Sequence, residues 1–279
     1  MDTTDATDTA AAAHLHWCEM RNLSPETLRQ RRDALRRLAA VVTDPATADE
    51  GDLACWWESI AHLHPQSRTT YLAHVRGFYR WATIEGLRAD DPTRRLMRPR
   101  IPRAVPRPVS DSDVALALAA TSDRVRPWVA LAAFAGLRCA EIAGLRGEEV
   151  HRDADPPVVV VATGKGDRDR VVPWAATLDR FVAVPRHGLV FARLDGQPGP
   201  NSPGRVSAVA SEELRSVGIA ATLHQFRHRF ATATYAACGD IRVVQELMGH
   251  ASPTTTAVYA AWSREVAHRA VSAAAALTG

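Results

Sequence analysis

A proline-rich segment from Asp91 to Pro108 limits what this chain can fold into more than any other feature. Its prolines are Pro92, Pro99, Pro102, Pro106 and Pro108. Proline fixes φ and has no backbone N–H to donate, so the segment can form neither a helix nor a central strand. It also carries Arg94, Arg95, Arg98, Arg100, Arg103 and Arg107, with no acid between them. The sequence therefore predicts an extended linker over 92–108, between a region 1–91 and a region 109–279.

The region before the linker has the pattern of a small all-helical bundle. Ser24-Pro25-Glu26 is a helix start, and apolar residues recur at helical spacing in three segments. Residues 1–13 are acidic and alanine-rich, and we expect a frayed lead-in there. Two of the predicted helices carry arginines on a second face: Arg29, Arg32 and Arg36, then Arg68, Arg76 and Arg80. Such faces can lie along DNA phosphates, but ordinary solvated faces have the same pattern.

The region after the linker predicts a mainly α domain with one small β-hairpin, an α+β fold. Ser110 and Asp113 have the spacing of a capping box at the start of a helix, and Val125 to Ala135 predicts a helix buried on nearly every side. Val158 to Ala162 and Arg170 to Pro173 predict two paired strands. A further short strand is expected around 189–191 and a helix over 207–217.

Composition excludes several classes of protein. With 46% hydrophobic residues, a chain of 279 residues has ample material for a core. No apolar run approaches the roughly 20 residues that span a bilayer, and the N-terminus lacks the features of a secretory signal. The four cysteines lie far apart, which indicates neither a zinc site nor a disulfide framework, so we expect a reducing cytoplasm. The formal charge of +3 is too small to indicate a nucleic-acid partner by itself.

Four polar residues stand out between Leu223 and Tyr259. Helical periodicity runs from Leu223 to Cys238 and resumes after Asp240 up to about Gly249, and Ser252-Pro253 predicts a third helix start. His224 and Arg227 are three residues apart and share one helix face. His250 follows in a turn, and Tyr259 comes nine residues later. These four side chains can converge on one phosphate.

Two further charged sites lie upstream. Arg138 opens a predicted helix among apolar neighbours, and Glu141 shares its face. A buried pair of this kind is either structural, or a carboxylate that holds a guanidinium rigid toward a phosphate. Lys165 is the only lysine among 34 basic residues, and it lies in the glycine-bearing turn of the predicted hairpin. The turn lacks the spacing of a nucleotide-binding P-loop.

The combined motifs resemble the tyrosine recombinases, which include phage integrases and Xer-type resolvases. The resemblance rests on A-G-L-R-C-A-E at Arg138, H-Q-F-R at His224, M-G-H at His250 and T-T-A-V-Y-A at Tyr259, with Lys165 in a hairpin between the first two. These residues have the order of the family's catalytic residues, and the resemblance covers roughly 110–262. The N-terminal bundle agrees only in general form.

The resemblance implies phosphoryl transfer without a metal, a cofactor or ATP. Tyr259 attacks a DNA phosphodiester and forms a 3′-phosphotyrosine with a free 5′-hydroxyl. Arg138 and Arg227 clamp the non-bridging oxygens, with Glu141 as a support, while His224 and His250 bind the phosphate. Lys165 protonates the leaving oxygen, which suits an ammonium with a pKa of about 10.4 better than a guanidinium.

The resemblance also implies partners and a domain plan. A core-DNA-binding domain over 1–91 and a catalytic domain over 109–279 form a clamp around duplex DNA, and the linker joins them. Four protomers assemble on two sites through a cyclic contact, in which the C-terminal helix over 262–277 docks onto a neighbour. With about 20 residues before the first predicted helix, a minimal Xer-like form without an arm-binding domain is expected. A directionality factor is a further expected partner, and a membrane is not.

Three alternatives remain open at the level of sequence. A type IB topoisomerase uses similar chemistry, although the two-domain size and the T-T-x-x-Y-A motif favour a recombinase. His224 and His228 are four residues apart and have the spacing of a metal-dependent nuclease, but Arg227 between them disfavours a cation. A DNA-binding protein with a decayed site is the third alternative, against which the intact Tyr259 and arginines argue.

Overall fold

The computed structural model describes residues 3–101, 109–161 and 169–249. The chain divides into two compact units, Met1–Ala104 and Val105–Gly279. Each unit has its own hydrophobic core.

The described part of the N-terminal unit consists of helices. They are α1 (Thr3–Met20), α2 (Pro25–Ala39), α3 (Glu50–Ser59) and α4 (Pro65–Ile84). The side chain of Ser24 accepts a hydrogen bond from the backbone N–H of Thr27 and thereby caps α2. Asp49 and Asp52 form a reciprocal capping box at the start of α3. The apolar faces of these helices meet in one core around Trp56, Leu72 and Phe78.

Helix α1 corrects the expectation of a frayed lead-in over residues 1–13. The helix extends from Thr3 to Met20, and His14 and Cys18 on one of its faces are fully buried. The His14 ring lies against Phe78 and Trp81 of α4, with ring centroids 5.5 and 5.0 Å away. The alanine-rich sequence suits a helix by propensity, and docking on the bundle supplies the stabilisation that its weak amphipathic pattern did not indicate.

The first residues of the predicted linker pack against the helical bundle. Thr93 and Leu96 are buried, and the guanidinium of Arg76 on α4 donates to the backbone carbonyls of both. Residues 92–101 have neither helix nor strand, as their proline content requires. Arg103 and the rest of 102–108 lie outside the described residues.

The described part of the C-terminal unit is mainly helical with one small sheet. Its elements are α5 (Asp111–Ala120), α6 (Arg126–Phe134), α7 (Cys139–Gly144), β1 (Val150–His151), β2 (Val158–Val161), β3 (Arg170–Pro173), α8 (Pro203–Ser216), α9 (Leu223–Cys238) and α10 (Ile241–Met248). The strands form an antiparallel sheet in the order β1-β2-β3, with Val160 opposite Val171. The predicted fold class and hairpin pairing are thus confirmed.

Helix α6 lies at the centre of this unit. Its seven residues from Pro127 to Ala133 are buried, and it packs against α9. The predicted capping box of Ser110 and Asp113 is present at the start of α5. Strand β1 was missed because two residues are too few for a recognisable alternation. The strand expected at 189–191 is wrong, since Leu189 makes a single isolated bridge to Arg146.

Within the described ranges, no helix is long and apolar enough to cross a membrane.

Candidate active site: an arginine cluster around one buried carboxylate

Glu141 is the centre of the candidate site. Its carboxylate lies in α7 with 8% of the side chain exposed. Oε1 accepts from Nη1 of Arg138 at 3.0 Å and from Nη1 of Arg170 at 2.7 Å. Oε2 accepts from the backbone N–H of Arg138 and from Nη2 of Arg170, both at 2.7 Å, and it lies 3.7 Å from Nη1 of Arg227. One carboxylate therefore gathers three guanidinium groups.

The charges of these arginines keep Glu141 ionised. Burial by itself would raise the pKa of Glu141, but the hydrogen bonds and charge of Arg170, followed by the backbone N–H of Arg138 and the charge of Arg227, hold that pKa below its ordinary value. Among the residues that the structure describes, this cluster has three guanidiniums and one carboxylate, which is an excess of positive charge. It is therefore suited to an anion.

The same arginines bind the last carbonyls of α10. Arg170 Nε donates to the carbonyl of Leu247 at 2.8 Å. Arg138 and Arg227 both donate to the carbonyl of Met248 through their Nη2 atoms, and Arg138 Nη2 also reaches the carbonyl of Gly249 at 2.9 Å. The last carbonyls of a helix have no partner within it and carry partial negative charge. Cationic donors thus satisfy this end of α10.

Two glycines allow the chain to pass close to these arginines. Gly136 ends α6 with φ of 63°, and a Cβ there would overlap the ring of Phe230. The carbonyl of Gly136 accepts from Nη1 of Arg227. Gly249 follows α10 with φ of 59°, and a Cβ there would lie 3.0 Å from Cδ of Arg170. Only glycine adopts such conformations without strain.

His224 and Arg227 occupy different environments on α9. Arg227 is buried, with 1% of its side chain exposed, whereas His224 at the first turn is exposed. The partial burial of the imidazole ring, and then the positive charges of Arg227 and Arg138, lower the pKa of His224. A neutral imidazole beside two guanidiniums can accept a hydrogen bond or a proton near neutral pH. The ring centroid of His228 lies 4.3 Å away.

The structure brings together four of the predicted site residues, Arg138, Glu141, His224 and Arg227. Lys165, His250 and Tyr259 lie outside the described residues, as do the helix predicted from Ser252-Pro253 and the C-terminal helix. His250 is the residue that follows Gly249, so Arg138 and Arg227 bind the carbonyls of the two residues directly before it in the chain.

Arg170 is the site residue that sequence reasoning missed. It was assigned only to a strand, although it is buried with 5% of its side chain exposed. In β3, Arg170 and Val172 are buried while Val171 and Pro173 are exposed. An arginine on the buried face of a strand must have a charged partner, and that was the available signal. Its partner Glu141 lies in another element and could not be read from local spacing.

The arginines proposed at the sequence level for DNA contact fall into two groups. Arg68 lies over the ring of Trp57 at 4.2 Å and Arg76 donates to carbonyls of its own unit, so both serve the packing of the bundle. The others are exposed on the N-terminal unit: Arg29, Arg32, Arg36, Arg80, Arg94, Arg95, Arg98 and Arg100. Several of these pair with nearby acids, including Arg29 with Glu26 and Arg94 with Glu50.

The described part of the site can bind an oxyanion and stabilise growing negative charge. It offers a positively charged cluster and a neutral imidazole beside it. Among the described residues, no group of three or more His, Cys, Asp or Glu side chains is arranged to hold a metal ion. The fold and the site thus define a class, a mainly helical domain with a positively charged cluster suited to an oxyanion.

Comparison with known proteins identifies the family. Residues 111–265 match the Phage integrase family. The tyrosine recombinase XerD of Xanthomonas campestris pv. campestris is 31% identical over 234 residues, covering 75% of this chain and 72% of the relative. The tyrosine recombinase XerC of Mesorhizobium japonicum is 30% identical over 284 residues, covering 89% and 90%. The chain belongs to the phage integrase family and is a tyrosine-type enzyme of site-specific DNA recombination.

Solved structures agree in fold. A lambda integrase dimer bound to a COC′ core site matches with a TM-score of 0.72 at 15% identity, covering 92% of this chain and 77% of that chain. The XerH site-specific recombinase in a post-cleavage complex matches with a TM-score of 0.66 at 17% identity, covering 97% and 84%. At these identities the likeness concerns the fold alone.

Proposed function

We propose that this chain cleaves and rejoins DNA through Tyr259, with Arg138 and Arg227 as the phosphate clamp. The observation that carries the proposal is that Arg138 at the N-cap of α7 and Arg227 on α9 both donate to the carbonyl of Met248. Two guanidiniums from separate parts of the chain therefore meet at the carbonyl of Met248, two residues before His250 in the sequence. Such a convergence suits a phosphate whose negative charge grows in the transition state.

The proposed reaction is a transfer of a phosphoryl bond. The phenolic oxygen of Tyr259 forms a bond to the scissile phosphorus, and the bond from phosphorus to the 5′-oxygen breaks. His224, which its lowered pKa keeps neutral near pH 7, accepts the phenolic proton, and Lys165 donates a proton to the leaving oxygen. His250 binds a non-bridging oxygen. Attack by a 5′-hydroxyl of a second duplex reverses these steps and exchanges strands through a Holliday junction, without ATP.

The N-terminal unit is proposed to hold the duplex. Its exposed arginines contact phosphates, and Arg103 in the linker predicted over 92–108 is proposed to do the same. Paired sites require four protomers, and the lambda integrase tetramer bound to a Holliday junction is a relative in fold. A directionality factor and the bacterial cytoplasm are the proposed partner and location. Integration, excision and resolution all fit this chemistry.

A suicide-substrate assay tests the proposal. The protein is incubated in EDTA with nicked duplexes whose core sequence is randomised, so that the cleaved strand diffuses away and traps the intermediate. We expect a covalent protein–DNA adduct on a denaturing gel, and sequencing of the trapped DNA gives the target site.

Two tyrosine variants make the assay decisive. Tyr259→Phe removes the nucleophile and should abolish the adduct, whereas Tyr235→Phe on α9 removes a hydroxyl from the same unit and should keep it. An adduct that persists in Tyr259→Phe identifies another nucleophile and refutes the proposed role. Binding without any adduct in the unchanged protein supports the DNA-binding alternative with a decayed site.

A further inference from the structure

All three nitrogens of the Arg170 guanidinium donate hydrogen bonds. Nη1 and Nη2 bind the two oxygens of Glu141 at 2.7 Å each, and Nε binds the carbonyl of Leu247 at 2.8 Å. This planar fork cannot be reproduced by lysine, which offers a point charge. Arg170 thus joins three elements: β3, which carries it, α7 with Glu141, and the end of α10.

Glu141 is positioned as much by Arg170 as by its own helix. With Arg170 on both oxygens, Glu141 has a fixed orientation in which it accepts from Nη1 and the backbone N–H of Arg138. Without Arg170, the carboxylate would be left with Arg138 and Arg227 as its charged neighbours. It would then draw both guanidiniums toward itself, because a buried carboxylate requires compensation.

Arg170 also contacts the chain at the C-terminal end of α10. The carbonyl of Leu247 is bound to it, and Gly249 approaches so closely that a Cβ would lie 3.0 Å from Cδ and 3.1 Å from Nη1 of Arg170. The next two carbonyls along the chain are also bound: that of Met248 accepts from Arg138 and Arg227, and that of Gly249 accepts from Arg138. The end of α10, which precedes His250 in the sequence, therefore packs against Arg170.

We propose that Arg170 is a positioning residue for DNA cleavage, which acts through Glu141 and the end of α10 to set the guanidinium groups of Arg138 and Arg227. It contacts no reacting atom in this role. The inference rests on the proposed function, since it assigns Arg170 to the same phosphate clamp. If the inference holds, substitution of Arg170 reduces the ability of Arg138 and Arg227 to stabilise the negative charge of the phosphate.

The test compares two substrates with the full-length Arg170→Lys variant. One suicide duplex has an ordinary scissile phosphodiester, and the other has a methylphosphonate, which lacks the non-bridging negative charge. On the phosphodiester we expect adduct formation to slow about 100-fold, because misplacement by about 1 Å costs that much. On the methylphosphonate the difference from the unchanged protein should shrink to a few-fold, because less charge needs compensation.

A merely structural role predicts equal slowing on both substrates, and that result would overturn the inference. So would an unchanged rate on the phosphodiester. Arg126→Lys is the matched control, since Arg126 pairs with Asp123 and donates to the carbonyl of Thr121 at a different place in the same unit. Its rates should stay unchanged on both substrates. Failure of the unchanged protein to form a Tyr259-dependent adduct is a separate result, which refutes the proposed function.

A second variant is needed in case Arg170→Lys does not fold, which the absence of a cooperative unfolding transition would show. The double variant Arg170→Gln with Glu141→Gln replaces the ion pair by neutral groups that can still hydrogen-bond, so no buried charge of the pair is left unpaired. It is compared with the unchanged protein. We expect a slowing that is larger on the phosphodiester than on the methylphosphonate. A double variant as fast as the unchanged protein, or one equally slowed on both substrates, would contradict the positioning role.

Discussion

The arginines of the two units differ in how far away their partners lie in the chain. In the N-terminal unit, Arg29 pairs with Glu26 and Arg36 with Asp33, each three residues away on the same exposed helix face. In the C-terminal unit, Arg170 and Arg227 are buried and meet Glu141 from elements distant in sequence. The same side chain therefore serves either an exchangeable local contact or a fixed junction between elements.

This difference follows from solvation. An exposed ion pair contributes little, because water and salt screen the charges and both side chains lose rotational freedom when they pair. Such a pair can give up its acid for a DNA phosphate at little cost. A buried pair is expensive to break, since the remaining charge is left without water. The N-terminal arginines are suited to adaptable binding, and the buried ones to a geometry that does not change.

The largest effect is expected when the buried junction is broken. Glu141→Gln removes the carboxylate that three guanidiniums share, and we expect a loss of about 3 kcal/mol in the free energy of unfolding of the C-terminal unit. Urea unfolding, followed by tryptophan fluorescence and circular dichroism, measures it. Glu26→Gln is the matched control, because Glu26 also binds an arginine with both oxygens but on the surface. It should leave the unfolding midpoint unchanged, and equal losses in the two variants would remove the distinction.

The contrast also explains what the sequence could predict. The cap of α5, the ends of α9 and α10 and the pair of Arg138 with Glu141 depend on residues within a few positions of each other, and all were predicted. The pair of Arg170 with Glu141 was not, because nothing local identifies which carboxylate a strand arginine meets. Helix α1 was missed for the same reason, since its stability comes from docking onto α2 and α4 rather than from its own pattern.

A half-buried arginine in the N-terminal unit extends the comparison. Nη1 of Arg31 on α2 lies 3.2 Å from Nε2 of His14 and 3.1 Å from Sγ of Cys18. These partners are neutral. Burial, and then the charge of Arg31, lowers the pKa of His14 to about 4. The pKa of His74, which also lies near Arg31, is lowered by the same two causes.

This cluster predicts acid sensitivity of the N-terminal unit. Between pH 6.5 and about 4 the unfolded chain binds a proton at His14 that the folded chain does not bind, so stability falls as the pH falls through this window. We expect a loss on the order of 2 kcal/mol by pH 4.5. His14→Gln should flatten the dependence in urea titrations at a series of pH values. His16→Gln on the exposed side of α1 should not, and if it flattens the curve equally, His14 is not the responsible group.

The smallest effect is expected for a single exposed arginine, Arg36→Gln. Asp33 keeps its hydrogen bonds from the hydroxyl of Tyr71 at 2.8 Å and from Nε of Arg37 at 3.2 Å, so the substitution leaves no buried charge and should not change stability. If Arg36 contacts a phosphate, affinity for duplex DNA should fall a few-fold, and the slope of log affinity against log salt should become shallower by about 1. Fluorescence anisotropy over a salt series measures both.

Arg193→Gln, which removes a comparable surface arginine of the C-terminal unit paired with Asp195, is the control. If its slope changes by the same amount, the effect reflects net charge alone. A slope change confined to Arg36→Gln means that Arg36 contacts a DNA phosphate, and an exposed pair such as that of Arg36 with Asp33 permits this exchange of partners whereas the Glu141 junction does not.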